Sequence, residues 1–375
     1  MSSEIRITHC VDSGELQHHS LPSIVSTIEQ TILSHSLYEA YQLKETQVTS
    51  SVEGVVRCLL CDSGDVQIVD QFPFKDLRQL YFETCELDIS TCLDQPYENT
   101  VVYRYGCRGC GLEFYPSCLK GNGALYQALA KFDYYYMAEK WDFKVALENI
   151  RDAGSVLEVG CGDGYFLDRV AQVFPQKRIT GLELNPGAST VRQANGITIL
   201  PRTIEEFSAE HAYEFDAVCA FQVLEHVENP RSFLESAFRC LKENGLCLLT
   251  VPNPAGFTKH AINDFGNLPP HHLTRWNVNV MKNLAARYGL RIERILEEPV
   301  AEYHKQWYRD TLMIKALSVV PGLKFGCIER GTLYRMVLAL CRRLQVVIPR
   351  QFWRYNRYPG HSLYVAFRKA NVTSV

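Results

Sequence analysis

Nine residues, Val156-Leu157-Glu158-Val159-Gly160-Cys161-Gly162-Asp163-Gly164, constrain this chain more than any others. An apolar run ends in Glu-x-Gly-x-Gly-x-Gly, and a helix-like segment from Tyr165 to Val173 follows. The pattern reads as a strand, a glycine turn and a helix start. Three positions without side chains let a ligand lie directly on the backbone. The turn has neither Gly-Lys-Ser/Thr nor a GxGxxG spacing, so it is not built for a nucleotide's phosphates. Instead a carboxylate, Glu158, stands just before the glycines. That suits a cationic or hydrogen-donating ligand.

A second acid, Glu183, ends the next strand-like run, Arg178-Ile179-Thr180-Gly181-Leu182-Glu183, twenty-five residues after Glu158. An acid there, in a βαβ unit, bonds ribose hydroxyls. S-adenosylmethionine (SAM), with an ammonium, a sulfonium and a ribose, has the required chemistry. Phe215–Val227 reads as a buried strand running into a polar loop, at the end of an open sheet where such folds hold ligands. Leu241–Asn253 reads as a further turn and strand. With these four segments in order, the chain resembles class I SAM-dependent methyltransferases over about residues 130–300. The resemblance implies that Glu158 meets the methionine ammonium and that Gly160, Gly162 and Gly164 give backbone approach. Glu183 then takes the ribose, with Asn185 near the same loop. Thr203 and Ile204 flank the adenine, and Gln222 faces the methionine part. Loop packing and helix capping are the rival reading for Gln222 and Glu225, and a serious rival for Glu225.

Strands are predicted near 155–159, 178–183, 197–200, 215–221, 246–251 and 291–296, with helices between them. A late strand, Ser362–Arg368, is antiparallel in the fold this chain resembles. The prediction is an α/β Rossmann-like, doubly wound, mostly parallel seven-stranded sheet. Residues 301–360 become a helical insertion before the last strand. From 324 to 358 that insertion is both apolar and basic. Its arginines include Arg330, Arg335, Arg342, Arg343, Arg350, Arg354 and Arg357, against one acid, Glu329. It reads as a lid with a solvated basic face, or as a site for an anionic acceptor or a membrane surface.

Residues 55–120 read as a separate module. Cys58-x-x-Cys61 and Cys107-x-x-Cys110 are two knuckles with 45 residues between them. Two such knuckles give a closed four-thiolate site, the donor set of structural Zn(2+). A redox C-x-x-C wants one pair beside a βαβ unit instead. The run Cys107–Pro116 also resembles the zinc-binding module of a bacterial methyltransferase subgroup that includes sugar methyltransferases. Residues 1–54 read as a helical arm. Residues 121–150 read as an aromatic, mostly helical segment packed over the catalytic sheet, with a tyrosine stripe closing over the methionine end of SAM as the alternative.

The net charge of −3 and pI of 6.4 disfavour wholesale nucleic-acid binding. No Asn/Asp-Pro-Pro-Tyr/Phe run follows the fourth core strand. There is no basic-then-apolar leader at Met1-Ser2-Ser3-Glu4 and no apolar run of eighteen residues. The fourteen cysteines form no compact disulfide pattern, so a cytoplasmic setting is expected. For proton removal the candidates are His271 and His272, in Pro269-Pro270-His271-His272-Leu273-Thr274-Arg275-Trp276, and then His226. Arg275 reads as a hold for an anionic acceptor. A histidine pair alone lacks a third metal ligand at helpful spacing. The leading expectation is therefore methyl transfer to oxygen or carbon of a small polar acceptor, such as a nucleotide- or lipid-linked sugar. An RNA or other nucleic-acid methyltransferase docking through the module and basic insertion is the alternative.

Overall fold

The computed structural model describes residues 56–132, 137–185, 196–318, 325–347 and 354–370, with side chains of 345–347 excepted. The arm assigned to 1–54 and the tyrosines at 134–136 lie outside the described residues. Within the described chain, apolar runs become strands wherever they are buried on both faces. Ser155–Val159 (β4) is buried at every position, as expected of a central parallel strand. It is flanked by Arg178–Leu182 (β5) and Phe215–Phe221 (β7), both parallel to it. Ile197–Leu200 (β6) extends one side and Leu241–Pro252 (β8) the other. Ser362–Lys369 (β11) inserts antiparallel between β8 and Leu290–Glu297 (β10). The order is β10-β11-β8-β7-β4-β5-β6. The seven expected strands are all present, and the late antiparallel strand sits where the resemblance put it.

Chain order reverses between β4 and β7. Their carboxyl ends therefore open a crevice that no single connection crosses, which is the ligand position of such sheets. Helices on either face follow the 3.6-residue repeat. Tyr165–Val173 buries Phe166, Leu167 and Val170, and Pro230–Cys240 buries Phe233, Leu234, Ala237 and Phe238. The second starts at an Asn229 cap followed by Pro230, the favoured order for a helix start.

Val66–Pro73 (β1), Val101–Cys107 (β2) and Glu113–Phe114 (β3) make a second, antiparallel sheet. Its fourth strand is Thr274–Arg275 (β9), from the far half of the chain. Cys58, Cys107, Cys110 and Phe114 share one apolar core with Trp276, Val280 and Met281. The boundary expected at residue 120 is thus not a break: the described residues fall in one compact unit. The long gap between the knuckles is filled by β1, the helix Phe74–Cys85 and β2.

The insertion is helical, with Lys305–Leu317 and Thr332–Val347 as its main helices. Arg335, Arg342 and Arg343 are exposed, whereas Arg330 is paired with Glu83. Among the described residues no helix is long and apolar enough to cross a membrane.

Candidate active site

A cavity of about 1530 Å³ opens at the switch point. One wall is the end of β4. Glu158 is 3% exposed and its Oε2 has no hydrogen-bond partner. Burial pushes its carboxyl well above the ordinary carboxylate range. The turn after it holds Gly160, Gly162 and Gly164 at φ of 70°, 51° and 71°, left-handed backbone that glycine tolerates without strain. Glu183 fastens this turn. Its carboxylate accepts from Gly162 N at 2.8 Å and from Asn185 N at 2.7 Å. Lone pairs remain on both oxygens for further donors.

Gly160 lines the cavity and has a further reason to be glycine: a Cβ there would stand 2.6 Å from Val223 Cγ2 on the β7 loop. Thr203 caps the helix Ile204–Glu210 in a full capping box with Glu206. Its hydroxyl is thereby engaged, and Ile204 is 1% exposed. Both still line the cavity, as do Asn185 and Gln222. Gln222 is at φ 56°, its N donates to Thr250 O at 2.9 Å, and its buried Nε2 has no partner.

The opposite wall is built by two loops. His226, on the β7 loop, meets His271 and His272, which follow a cis Pro269-Pro270 bond. The ring centroids are 4.3 to 4.6 Å apart, and Tyr126 packs on His226 at 5.8 Å. The 264–272 loop orients all three rings. His226 Nδ1 donates to His271 O at 2.7 Å, His271 Nδ1 to Gly266 O at 2.9 Å, and His272 Nδ1 to Asn267 Oδ1 at 3.1 Å. Burial lowers the basicity of all three, His226 to about 4 and the other two well below their ordinary value. They are neutral at pH 7.

Glu225 is a residue the sequence reading undervalued. It is fully buried, and neither carboxylate oxygen has a hydrogen-bond partner. Burial pushes its carboxyl up to about 8, and Oε1 lies 3.9 Å from His226 Nε2. The helix that follows is capped by Asn229, so the rival reading of Glu225 as a cap does not apply. Asp142 also went unread. It lies in the first turn of the helix Trp141–Asn149, lines the cavity and accepts from Thr250 Oγ1 at 2.8 Å. The insertion supplies Tyr303, His304 and Trp307 to the wall.

Arg275 does not line this cavity. As part of β9 it turns to Glu113, 3.7 Å away, under the second sheet. It also borders Asn253, Asp264 and Asn267, so it stands behind the histidine loop rather than in the cavity where an acceptor hold was expected. The arginines and lysines that do line the cavity are Lys120, Lys140 and Arg202. Lys120 is paired with Glu228 and Arg202 with Glu210.

The four module cysteines converge away from the cavity. Cys58 and Cys110 sulfurs are 3.5 Å apart, Cys61 and Cys107 sulfurs 3.4 Å, and all four lie within 4.8 Å of one another. Those are not disulfide distances, which would be about 2 Å. Tetrahedral Zn–S bonds of about 2.3 Å require sulfurs roughly 3.8 Å apart, so small adjustments suffice. The Cys110 sulfur beside it holds the Cys58 thiol down at about 5.

Residues 129–295 match the family model of a methyltransferase domain. A ubiquinone biosynthesis O-methyltransferase of Xanthomonas oryzae is 32% identical over 110 residues, 27% of this chain and 45% of that protein. A probable S-adenosylmethionine-dependent methyltransferase of Mycolicibacterium smegmatis is 29% identical over 143 residues, 38% of this chain and 53% of that protein. The chain thus spans about half the length of these curated relatives. A solved SAM-dependent methyltransferase from Archaeoglobus fulgidus has 15% identity and a TM-score of 0.38, over 60% of this chain and 94% of that one.

Proposed function

We propose that this chain, which carries a methyltransferase domain over residues 129–295, is a SAM-dependent methyltransferase acting on oxygen or carbon of a small polar acceptor. The observation that carries the reading is Glu158. A buried carboxylate with an unpartnered oxygen is costly unless a ligand supplies a donor. The SAM ammonium is such a donor, and Gln222 Nε2 offers a matching donor for a carboxylate. Glu183 has lone pairs left for ribose hydroxyls, and Thr203 with Ile204 borders the adenine. When bound, SAM supplies an electrophilic methyl group.

The cavity, at about 1530 Å³, exceeds the roughly 300–1,000 Å³ of a single small-molecule site. That leaves room for an acceptor between the SAM wall and the histidine wall. Trp307, Tyr303 and His304 offer ring faces to a sugar or other ring-bearing acceptor. With Arg275 outside the cavity and two of its three lining lysines and arginines paired, a free anion is poorly served. Lys140 is the basic residue left for an acidic group. The wall of His226, His271 and His272 is where an acceptor proton would be lost. The cysteines fit one Zn(2+) with no open position, so zinc there holds the second sheet and takes no part in the reaction.

Labelled SAM, offered with a small-metabolite extract and separately with RNA, tests the reading. Label in small molecules, lost in Gly162→Leu, is the expected result. Label in RNA alone would replace this reading with the nucleic-acid alternative.

A further inference from the structure

The histidine wall has the build of a metal centre. Sequence spacing offered two ligands; folding adds the third from another loop, 45 positions away in the case of His271. One ring nitrogen from each of His226, His271 and His272 lies within 4.8 Å of the others. Hydrogen bonding sets the tautomers. His271 O and Gly266 O are carbonyls and can only accept, so Nδ1 of His226 and of His271 carries the proton. For His272 the partner is an amide, whose orientation is fixed in turn. Asn267 Nδ2 donates to Asp264 Oδ2 at 2.7 Å, which leaves Oδ1 facing the ring at 3.1 Å. All three Nδ1 positions are therefore donors, and the lone pairs stand on Nε2. Imidazoles that bind metals are held in this way, with the second nitrogen donating to a carbonyl or carboxylate.

Charge points the same way. Glu225 lies beside the cluster, buried, with no hydrogen bond to either oxygen, and Oε1 is 3.9 Å from His226 Nε2. Three neutral rings give a dication its ligands, and Glu225, a buried acid that a nearby cation would ionise, supplies part of its counter-charge. The rings line the cavity, so a fourth position would face the acceptor space. Three nitrogens with one open position is the pattern of catalytic sites, in contrast to a closed four-cysteine site. Nitrogens around a tetrahedral ion at about 2.1 Å lie roughly 3.4 Å apart, so the rings must draw in by about an ångström.

We infer that His226, His271 and His272 form a second metal site, for a divalent ion that favours imidazole such as Zn(2+), Co(2+) or Ni(2+), with Glu225 beside it and one position open to the cavity. The inference concerns binding and stands apart from the SAM reading. The test is cobalt loading of the full chain, free of any polyhistidine tag. Cobalt on the cysteines shows thiolate charge-transfer bands; cobalt on imidazoles does not. One cobalt per chain without thiolate bands is expected, falling to none in His226→Asn and in His272→Asn. Thiolate bands and SAM affinity, retained in those variants, report that they remain folded. Wild-type protein whose bound cobalt is all thiolate-ligated overturns the inference, whether or not the variants fold. So does retention of the imidazole-bound cobalt in both variants. Loss of SAM binding with this cobalt still present would instead overturn the proposed function alone.

Discussion

The two walls of the cavity make the same kind of bet with different partners. On the β4 wall, Glu158 is buried with Oε2 unpartnered; on the opposite wall, Glu225 is buried with both oxygens unpartnered. In both, burial raises the carboxyl above its ordinary range. Their neighbours differ. Glu158 precedes a turn of left-handed glycines tied by Glu183, the surface proposed for SAM. Glu225 lies beside His226, one of three clustered imidazoles, the wall proposed for proton removal and for a metal. A buried acid is therefore not informative by itself; the groups beside it decide its use.

The largest effect should come from removing the frame behind the histidine wall. The histidine loop runs directly into β9, which pairs with the module's β3. Cys107→Ser should cost a structural metal worth on the order of 10 kcal/mol, comparable with the whole stability of a domain. Thermal unfolding of the purified chain should show collapse of the transition. An unchanged transition would mean that the module contributes no metal to stability. The comparison sharpens next on the histidine wall. His272→Asn should cut turnover about a hundredfold, the typical worth of a proton-handling group, with SAM affinity unchanged. Equal losses in turnover and SAM affinity would merge the two walls into one site.

The β4 strand and its glycine turn were legible because nine contiguous residues carry them. Apolar runs ending in glycine turns or polar loops marked the strands of the large sheet, the resemblance supplied the late antiparallel one, and only the strand ends shifted. The histidine wall was only half legible. His271 and His272 advertise themselves as a pair, but His226 joins them through loop geometry. Glu225 needs the burial to be known before it stands out. Arg275 was misjudged because a two-residue strand, β9, is too short to leave a pattern. The cysteine spacing named its own cluster, yet not that the module completes its sheet from residues 274–275.

Smaller effects test packing on the β4 side. Gly160→Ala meets Val223 at 2.6 Å and keeps an unfavourable φ, so a loss of about 1–3 kcal/mol is expected in denaturant unfolding. Adding Val223→Ala should restore part of it; no restoration would place the strain in the backbone alone. Smallest is Thr203→Ala, which removes a capping box and should cost about 1 kcal/mol with a modest rise in the SAM dissociation constant. A change in stability below a few tenths of a kcal/mol would mean the cap is dispensable.

The central claim is that Glu158 awaits a cationic ligand. Its folded carboxyl holds a proton to higher pH than the unfolded one, whose ordinary value is 4.5. The unfolded state sheds that proton first, so without ligand Glu158 makes stability fall as pH rises above that value. Glu158→Gln should therefore gain stability relative to wild type more at pH 8 than at pH 5. The decisive measurement is calorimetric titration of SAM into wild type and Glu158→Gln at pH 8. One SAM per wild-type chain is predicted, with affinity reduced roughly ten- to a hundredfold in the variant through loss of a charge-assisted hydrogen bond. Equal affinities, or no binding to wild type, would contradict the account.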